Sequence, residues 1–367
     1  MGSILPWLLT PPTGCLEYTR PPMARAKEPR APHASFFALT PERVLDAVEV
    51  GGLRSTGRCL PLRAFENRVY EVELEDQRRL VLKFYRPGRW SRETILDEHR
   101  FLLDLAAAEL PAVAPLDLGT GQTLNVVEGI LYAAFPKVRG RTLDELDAEQ
   151  RRHIGRTIGR MHAIGASRPA PHRPKLTLER YIHEPLEVLT KGRFWPDNLG
   201  PRYKQVALRI AEAVAPELAA AKVQRIHGDL HHGNLLWTPG PVLVDFDDCL
   251  IGPPVQDLWL IARGLDEEAK KAREDLLEGY EVFREFDRST LALVEPLRAM
   301  RIVYMSGWIA RRWEDPSFPP AFPGFKDHRY WMQEYEELVR VAESLPSPDR
   351  NRMWRERPLP PRPQPAL

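Results

Sequence analysis

Asp229, Asn234 and Asp245 fall within one segment, RIHGDLHHGNLLWTPGPVLVDFDDC at residues 225–249, and all three offer oxygen atoms. The pattern predicts a strand over NLLW, a turn over TPGP and a returning strand over VLVDF. With turn residues 238–241, Trp237 faces Val242, Leu236 faces Leu243, Leu235 faces Val244 and Asn234 faces Asp245. Directly opposed Cβ atoms lie about 4.5–5.5 Å apart, so Asn234 and Asp245 are expected to share a site at the open end of the hairpin. Asp229 precedes Asn234 in a loop that holds Gly228 and Gly233, tight enough to return it to the same end. An amide and a carboxylate oxygen suit Mg²⁺, which keeps several waters and completes its octahedron with phosphate oxygens. Asp229 is left to accept a hydrogen bond from an attacking hydroxyl, and the three residues outline a phosphoryl-transfer site. Taken one at a time, they read equally as turn residues.

Other segments must position these groups. LTPERVLDAVEV predicts a helix capped by Thr40 with Pro41 at its first position. Tyr70, Val72 and Leu74 alternate with Glu71 and Glu73, the period of a half-buried strand. After a turn at EDQRR, LVLKFY returns as a second strand, with Lys83 on the face of Val81 and Tyr85 and away from Leu80, Leu82 and Phe84. SRETILDEHRFLLDLAAAEL predicts a helix capped by Ser91, with Ile95, Glu98, Leu102 and Leu105 in one stripe. Glu98 therefore lies inside an apolar face, where an unpaired charge is costly and a cation partner is expected. Lys83 alone reads equally as a solvent-facing lysine. LYAAFPKV ends the β-rich part. In RRHIGRTIGRMHAIG, Ile154, Ile158 and Met161 share a helix face, while Gly155 and Gly159 allow close packing. The helical pattern resumes over 203–223 and 256–345.

The expected fold is α+β, with a small β-rich N-lobe over 35–137 and a larger helical C-lobe over 138–345. A Pro- and Arg-rich leader, 1–34, is expected to be disordered; Met23 offers a second start. The Pro-rich tail, 346–367, reads first as a solvated end and second as a ligand for an aromatic groove on a partner. The formal charge of +1 implies no polyanion-binding surface, so no nucleic-acid partner is expected. Three widely spaced cysteines, Cys15, Cys59 and Cys249, fit neither a disulfide framework nor a thiolate zinc site. No apolar run is long enough to cross a bilayer. A cytoplasmic monomer without a membrane partner is the expectation.

HGDLHHGN followed by VDFDD resembles the catalytic loop and metal-binding Asp of the aminoglycoside phosphotransferase and choline kinase group, which shares the two-lobed protein-kinase fold. With ENRVYEVE, VLKFYRPGRW, GPPVQDLWL and RRWEDPSFP in order, the chain is more similar still to the stress response kinase A family of atypical bacterial serine/threonine protein kinases. That resemblance spans about residues 37–345. It implies ATP and Mg²⁺, Asp229 as the catalytic Asp, and Asn234 and Asp245 as metal ligands. It implies further that Lys83 positions phosphates with Glu98 as its partner, and that the adenine-binding hinge lies at Phe135 to Val138. The acceptor is then a protein Ser/Thr hydroxyl; a small hydroxyl metabolite is the alternative, and an ATP-binding scaffold the non-enzyme one.

The chain departs from the kinase pattern in places. LRAFENRVY replaces a glycine-rich loop, so a turn near Ala64, Phe65 and Glu66 is expected to cover the nucleotide. Asp247 stands where conventional kinases have Gly, and His231 where they have Lys. No A-P-E sequence follows, so control through activation-loop phosphorylation is not expected. His227 is expected to brace the loop and Asp257 to anchor its backbone. His231 and His232 lack a third ligand at zinc spacing. Asp247 and Asp248 divide between a solvated turn and a secondary metal contact. Arg301, Trp308, Arg311, Arg312 and Trp313 read first as core packing with a basic edge, and second as a substrate-side wall.

Overall fold

Thr40 begins the first helix as expected: its hydroxyl accepts the Arg43 N–H, and Pro41 opens α1 (Pro41–Glu49). This computed structural model describes residues 36, 39–196, 198–264 and 266–345. The expected leader and tail lie outside the described residues.

Five antiparallel strands follow α1 in spatial order β1-β2-β3-β5-β4. They are β1 (Ser55–Leu62), β2 (Arg68–Leu74), β3 (Arg79–Phe84), β4 (Asn125–Val127) and β5 (Ile130–Pro136). Between β3 and β4 runs α2 (Arg92–Ala107), whose cap Ser91 accepts the Thr94 N–H. The alternation on β3 sorts its side chains. Leu80, Leu82 and Phe84 join Val72, Leu74, Tyr132 and Ala134 in a core closed by Val44, Leu45 and Val48 of α1. Each such aliphatic side chain contributes roughly 1.5–3 kcal/mol on burial. On the opposite face Tyr85 and Ala133 pack with Ile95 of α2. Lys83, between Val69 and Ala133 in the ladder, is on that side and only 7% exposed.

Two long helices come next, α3 (Ala148–Ala166) and, later in the chain, α7 (Glu267–Tyr280). Ile154, Ile158 and Met161 are buried. A Cβ at Gly155 would lie 2.0 Å from the Leu276 carbonyl oxygen, and one at Gly159 would lie 2.7 Å from that of Tyr280. The two glycines thus let α3 and α7 meet backbone to backbone.

Further along are α4 (Glu184–Gly192), α5 (Gly200–Ala220) and the short strands β6 (Gln224–Ile226), β7 (Leu235–Trp237), β8 (Pro241–Leu243) and β9 (Leu250–Gly252). The chain ends with α6 (Val255–Trp259), α8 (Val294–Arg311), α9 (Phe318–Ala321) and α10 (His328–Ser344). It divides into two compact units, residues 1–175 with 223–286 and residues 176–222 with 287–367. In the second, Trp331 is fully buried against the rings of Trp195, Tyr203 and Phe325. Trp308 packs on Phe318, Trp313 on Phe325, and Arg311 pairs with Glu184 at 3.3 Å.

Candidate active site

Every candidate site residue lies in the first unit. Strands β6 and β9 pair through Gln224–Gly252 and Ile226–Leu250, and the loop from His227 to Asn234 leaves β6 directly. Its anchor is Asp257, fully buried at the start of α6. One carboxylate oxygen accepts the His227 N–H at 2.8 Å, and the other accepts the Gly228 N–H at 2.8 Å. His162 contacts the same carboxylate at 3.0 Å, and the Gln256 amide donates to the Gly228 carbonyl. His227 Nε2 donates to the Val244 carbonyl at 2.9 Å, leaving Nδ1 to accept the Asp229 N–H. The expected anchoring by Asp257 and bracing by His227 are both present. Gly228 has φ +81°, and a Cβ there would meet the Asp248 carbonyl at 2.6 Å.

The hairpin forms with a different register from the one predicted. Trp237 pairs with Pro241, Leu236 with Val242 and Leu235 with Leu243, so the connection is Thr238–Gly240, one residue shorter. Asn234 consequently stands opposite Val244, whose N–H donates to its carbonyl at 3.1 Å, and not opposite Asp245. Pro241 enters the strand at its first position, where a missing N–H is tolerated. Asp245 comes one residue past the ladder, with φ 59° and ψ 68°. This left-handed backbone is uncommon for a residue other than glycine, and it aims the side chain by means the strand pattern does not supply.

Asp245 Oδ1 accepts a hydrogen bond from Lys83 Nζ at 3.0 Å. The Asn234 amide donates from Nδ2 to the Asp229 carbonyl at 2.9 Å, which turns its Oδ1 the other way. An amide oxygen and a carboxylate that is 57% exposed are oxygen donors of the kind Mg²⁺ takes. No group of three or more His, Cys, Asp or Glu side chains able to hold a metal occurs among the described residues. Two protein ligands completed by water and phosphate need no such group. Lys83, Arg89 and Arg173 stand among Glu98, Asp245, Asp247 and Asp248, so acidic groups outnumber the basic ones they contact here. That excess also suits a cation.

Lys83 and Glu98 come together as expected, at 3.6 Å, but Lys83 is not Glu98's alone: Asp247 lies 3.3 Å away as well as Asp245. Burial works to lower the Lys83 pKa, and Asp245, Asp247 and Glu98 together outweigh it, holding the ammonium well above its ordinary value. Burial pushes the Glu98 carboxyl up to about 7, against the pull of Lys83 and Arg173.

Asp247 is not a solvated turn residue. It is 3% exposed, accepts the Asn67 amide at 3.1 Å and is paired with Arg89. Burial would raise its pKa, but Arg89, Lys83, Arg173 and Asn67 hold it below the usual carboxylate range. Arg173 donates to the carbonyls of Asp247 and Cys249, both at 2.6 Å. Arg89, Asn67 and Arg173 were not singled out from sequence. An isolated arginine in RPGRW or PHRPK carries no periodic signal of burial.

The turn over Ala64, Phe65 and Glu66 joins β1 to β2. It is held from beyond β3 by Arg86, which donates to the Phe65 carbonyl at 3.2 Å and the Glu66 carbonyl at 3.0 Å. Phe135 is on β5 opposite Val81, and its ring meets His99 edge-on. Beyond Val138 the chain bonds to β7, the Arg141 N–H to the Trp237 carbonyl at 3.0 Å and the reverse at 2.7 Å. The hinge segment and the hairpin are thereby tied together.

This fold, with a buried lysine held to Asp245 and an anchored loop that carries Asp229 and Asn234, is that of a kinase. Residues 59–294 match the phosphotransferase enzyme family, and the chain belongs to it. Within that family it is 40% identical over 315 residues to stress response kinase A of Escherichia coli K12, covering 86% of this chain and 96% of that one. It is 39% identical over 318 residues to the serine/threonine protein kinase RdoA of Salmonella typhimurium LT2, with the same two coverages, 86% and 96%. Among solved structures, the amicoumacin kinase hAmiN in complex with AMP-PNP and Ca²⁺ aligns with a TM-score of 0.66 at 19% identity, over 82% of this chain and 93% of that one. Spectinomycin phosphotransferase APH(9)-Ia aligns at 0.61 and 14% identity, over 83% and 97%. Both likenesses are of fold.

Proposed function

We propose that this chain transfers the γ-phosphoryl group of ATP to Ser or Thr hydroxyls of a protein, in the cytoplasm and as part of a stress response. The observation that carries the transfer chemistry is the convergence of Lys83 Nζ on Asp245 Oδ1 at 3.0 Å beside the loop that holds Asp229 and Asn234. Protein as acceptor is favoured by the names and near-complete coverage of the relatives at 39–40% identity.

Asn234 Oδ1 and the Asp245 carboxylate would hold Mg²⁺, which when bound neutralises phosphate charge and fixes the leaving group. Lys83 carries a permanent charge at neutral pH and positions the α/β-phosphates, steadied from behind by Glu98. Asp229, its backbone fixed through His227 and Asn234, orients the acceptor hydroxyl and takes its proton late. Phosphoryl transfer of this kind depends on placement and charge more than on covalent chemistry. The hinge at Phe135 to Val138 receives the adenine, and the turn at Ala64 covers the phosphates.

The test uses purified protein, Mg²⁺ and γ-labelled ATP, with Asp229→Ala as control. Label is followed on the chain itself, on a generic basic protein and on a panel of small hydroxyl metabolites. Label on Ser or Thr that is lost in the control is the expected result. Label on a metabolite alone would transfer the proposal to small-molecule phosphorylation, and nucleotide binding without turnover would leave only a scaffold.

A further inference from the structure

Asp247 has no part in the chemistry described so far, yet its carboxylate contacts three side chains, Asn67, Arg89 and Lys83. One oxygen accepts the Asn67 amide and pairs with Arg89, and the other lies 3.3 Å from Lys83 Nζ, nearer than the 3.6 Å from Lys83 to Glu98. Asn67 in turn accepts the Arg86 N–H through Oδ1 at 3.1 Å, and Arg86 grips the carbonyls of the Phe65–Glu66 turn. Arg89 reaches both Asp247 and Asp248 with one guanidinium and rests 4.7 Å over the Trp90 ring. Arg173, 5.0 Å from the Trp90 ring, donates to the Asp247 carbonyl. The side chain is thus a junction between three parts: the turn before β2, the β3 lysine and the segment that carries Asp245.

We propose that Asp247 is a positioning residue that sets Lys83 and the nucleotide-covering turn relative to Asp245, and that it is not a second metal ligand. The inference rests on the nucleotide-binding reading above. Its geometry is specific to a carboxylate: a glycine at this position offers nothing to Arg89, Asn67 or Lys83. Oδ2 is taken by Asn67 and Arg89, while Oδ1 makes no hydrogen bond but faces the Lys83 ammonium at 3.3 Å in a residue only 3% exposed, so a cation at Oδ1 would have to displace Lys83. The substitution of acid for glycine therefore converts a flexible position into a fixed one.

The experiment measures AMP-PNP binding by calorimetry as a function of Mg²⁺, with the unaltered protein, Asp247→Asn, Asn67→Ala and Glu98→Gln, each checked by thermal melting. Asn67→Ala removes one hydrogen bond to the Asp247 carboxylate and one from the Arg86 N–H but leaves the Arg89–Asp247 charge pair in place, so it remains informative if Asp247→Asn does not fold. A positioning role predicts AMP-PNP affinity lower by about ten-fold in Asp247→Asn, as expected for a charged hydrogen-bonded group, and by a few-fold in Asn67→Ala. The Mg²⁺ concentration giving half-maximal binding stays where it is in the unaltered protein. Asp247→Asn and Asn67→Ala proteins that bind AMP-PNP as tightly as the unaltered protein overturn this inference alone, whatever Glu98→Gln does to the other partner of Lys83. So does an Asp247→Asn protein whose affinity is restored by raising Mg²⁺, which would make Asp247 a ligand. Unaltered protein that binds no AMP-PNP overturns the nucleotide reading, and this inference with it.

Discussion

Three carboxylates surround Lys83, and they differ in exposure: the Asp245 side chain is 57% exposed, that of Asp247 4% and that of Glu98 1%. The difference separates catalytic from structural cost. Asp245→Asn removes the carboxylate charge proposed to hold the metal but leaves Lys83 paired with two buried acids. Transfer is expected to fall by at least about a hundred-fold, while stability changes less than in Lys83→Met, because the Asp245 side chain is exposed and two acids remain on Lys83. Lys83→Met instead strands buried carboxylates and is expected to cost about 3 kcal/mol or more. Parallel turnover assays and urea titrations check both. An Asp245→Asn protein with full ATP-dependent transfer would remove Asp245 from the site.

At the scale of elements, the contact of α3 with α7 leaves no room for a side chain. Gly155→Ala would drive a Cβ to 2.0 Å from the Leu276 carbonyl oxygen. It is expected to destabilise by about 2 kcal/mol or more, seen as a lower urea midpoint; an unchanged midpoint would mean that the helices separate easily. Those glycines were legible in the sequence because they sit beside a periodic apolar face. So were the caps at Thr40 and Ser91, the strand alternation around Lys83 and the buried place of Glu98, all of which follow from short-range spacing. The hairpin register was misjudged by one residue because Pro241 reads as a turn residue but serves as the first residue of β8. Asp229, Asn234 and Asp245 were recognisable as a set, whereas the αL backbone that aims Asp245 has no signature in its residue type. The Asn67–Asp247 and Arg89–Asp247 contacts join positions far apart in the chain, and no local pattern marks either end.

For the whole molecule, buried acids set how stability responds to pH. In the second unit, burial pushes the Glu334 carboxyl up to about 8, aided by Glu337 and opposed by Arg298. Between the ordinary value of 4.5 and about 8 the folded state holds a proton that the unfolded chain has released, so stability falls as pH rises through that window. Glu98, at about 7, acts in the same direction. His99 acts oppositely: burial, with Lys83 and Arg173 adding to it, lowers its pKa from 6.5 to about 3, so its contribution is lost as pH falls from 6.5 toward 3. Above pH 6.5 only the acids remain, and melting temperature is expected to decline toward pH 8. Glu334 can supply up to about 1.4 kcal/mol per pH unit of that slope. Glu334→Gln is expected to flatten it; an identical slope in the variant would assign the decline elsewhere.

The carboxylate of Asp257 binds His162 from one helix and the backbone of residues 227 and 228 from the loop, and it arrives later in the chain than either. During synthesis, the segment that carries Asp229 emerges before the group that will hold it. A chain released or arrested short of α6 is therefore expected to have every reacting side chain and no capacity to spend ATP. In a refolding experiment, recovered transfer would then serve as a clock for the docking of residue 257, appearing after helix content has returned and not along with it.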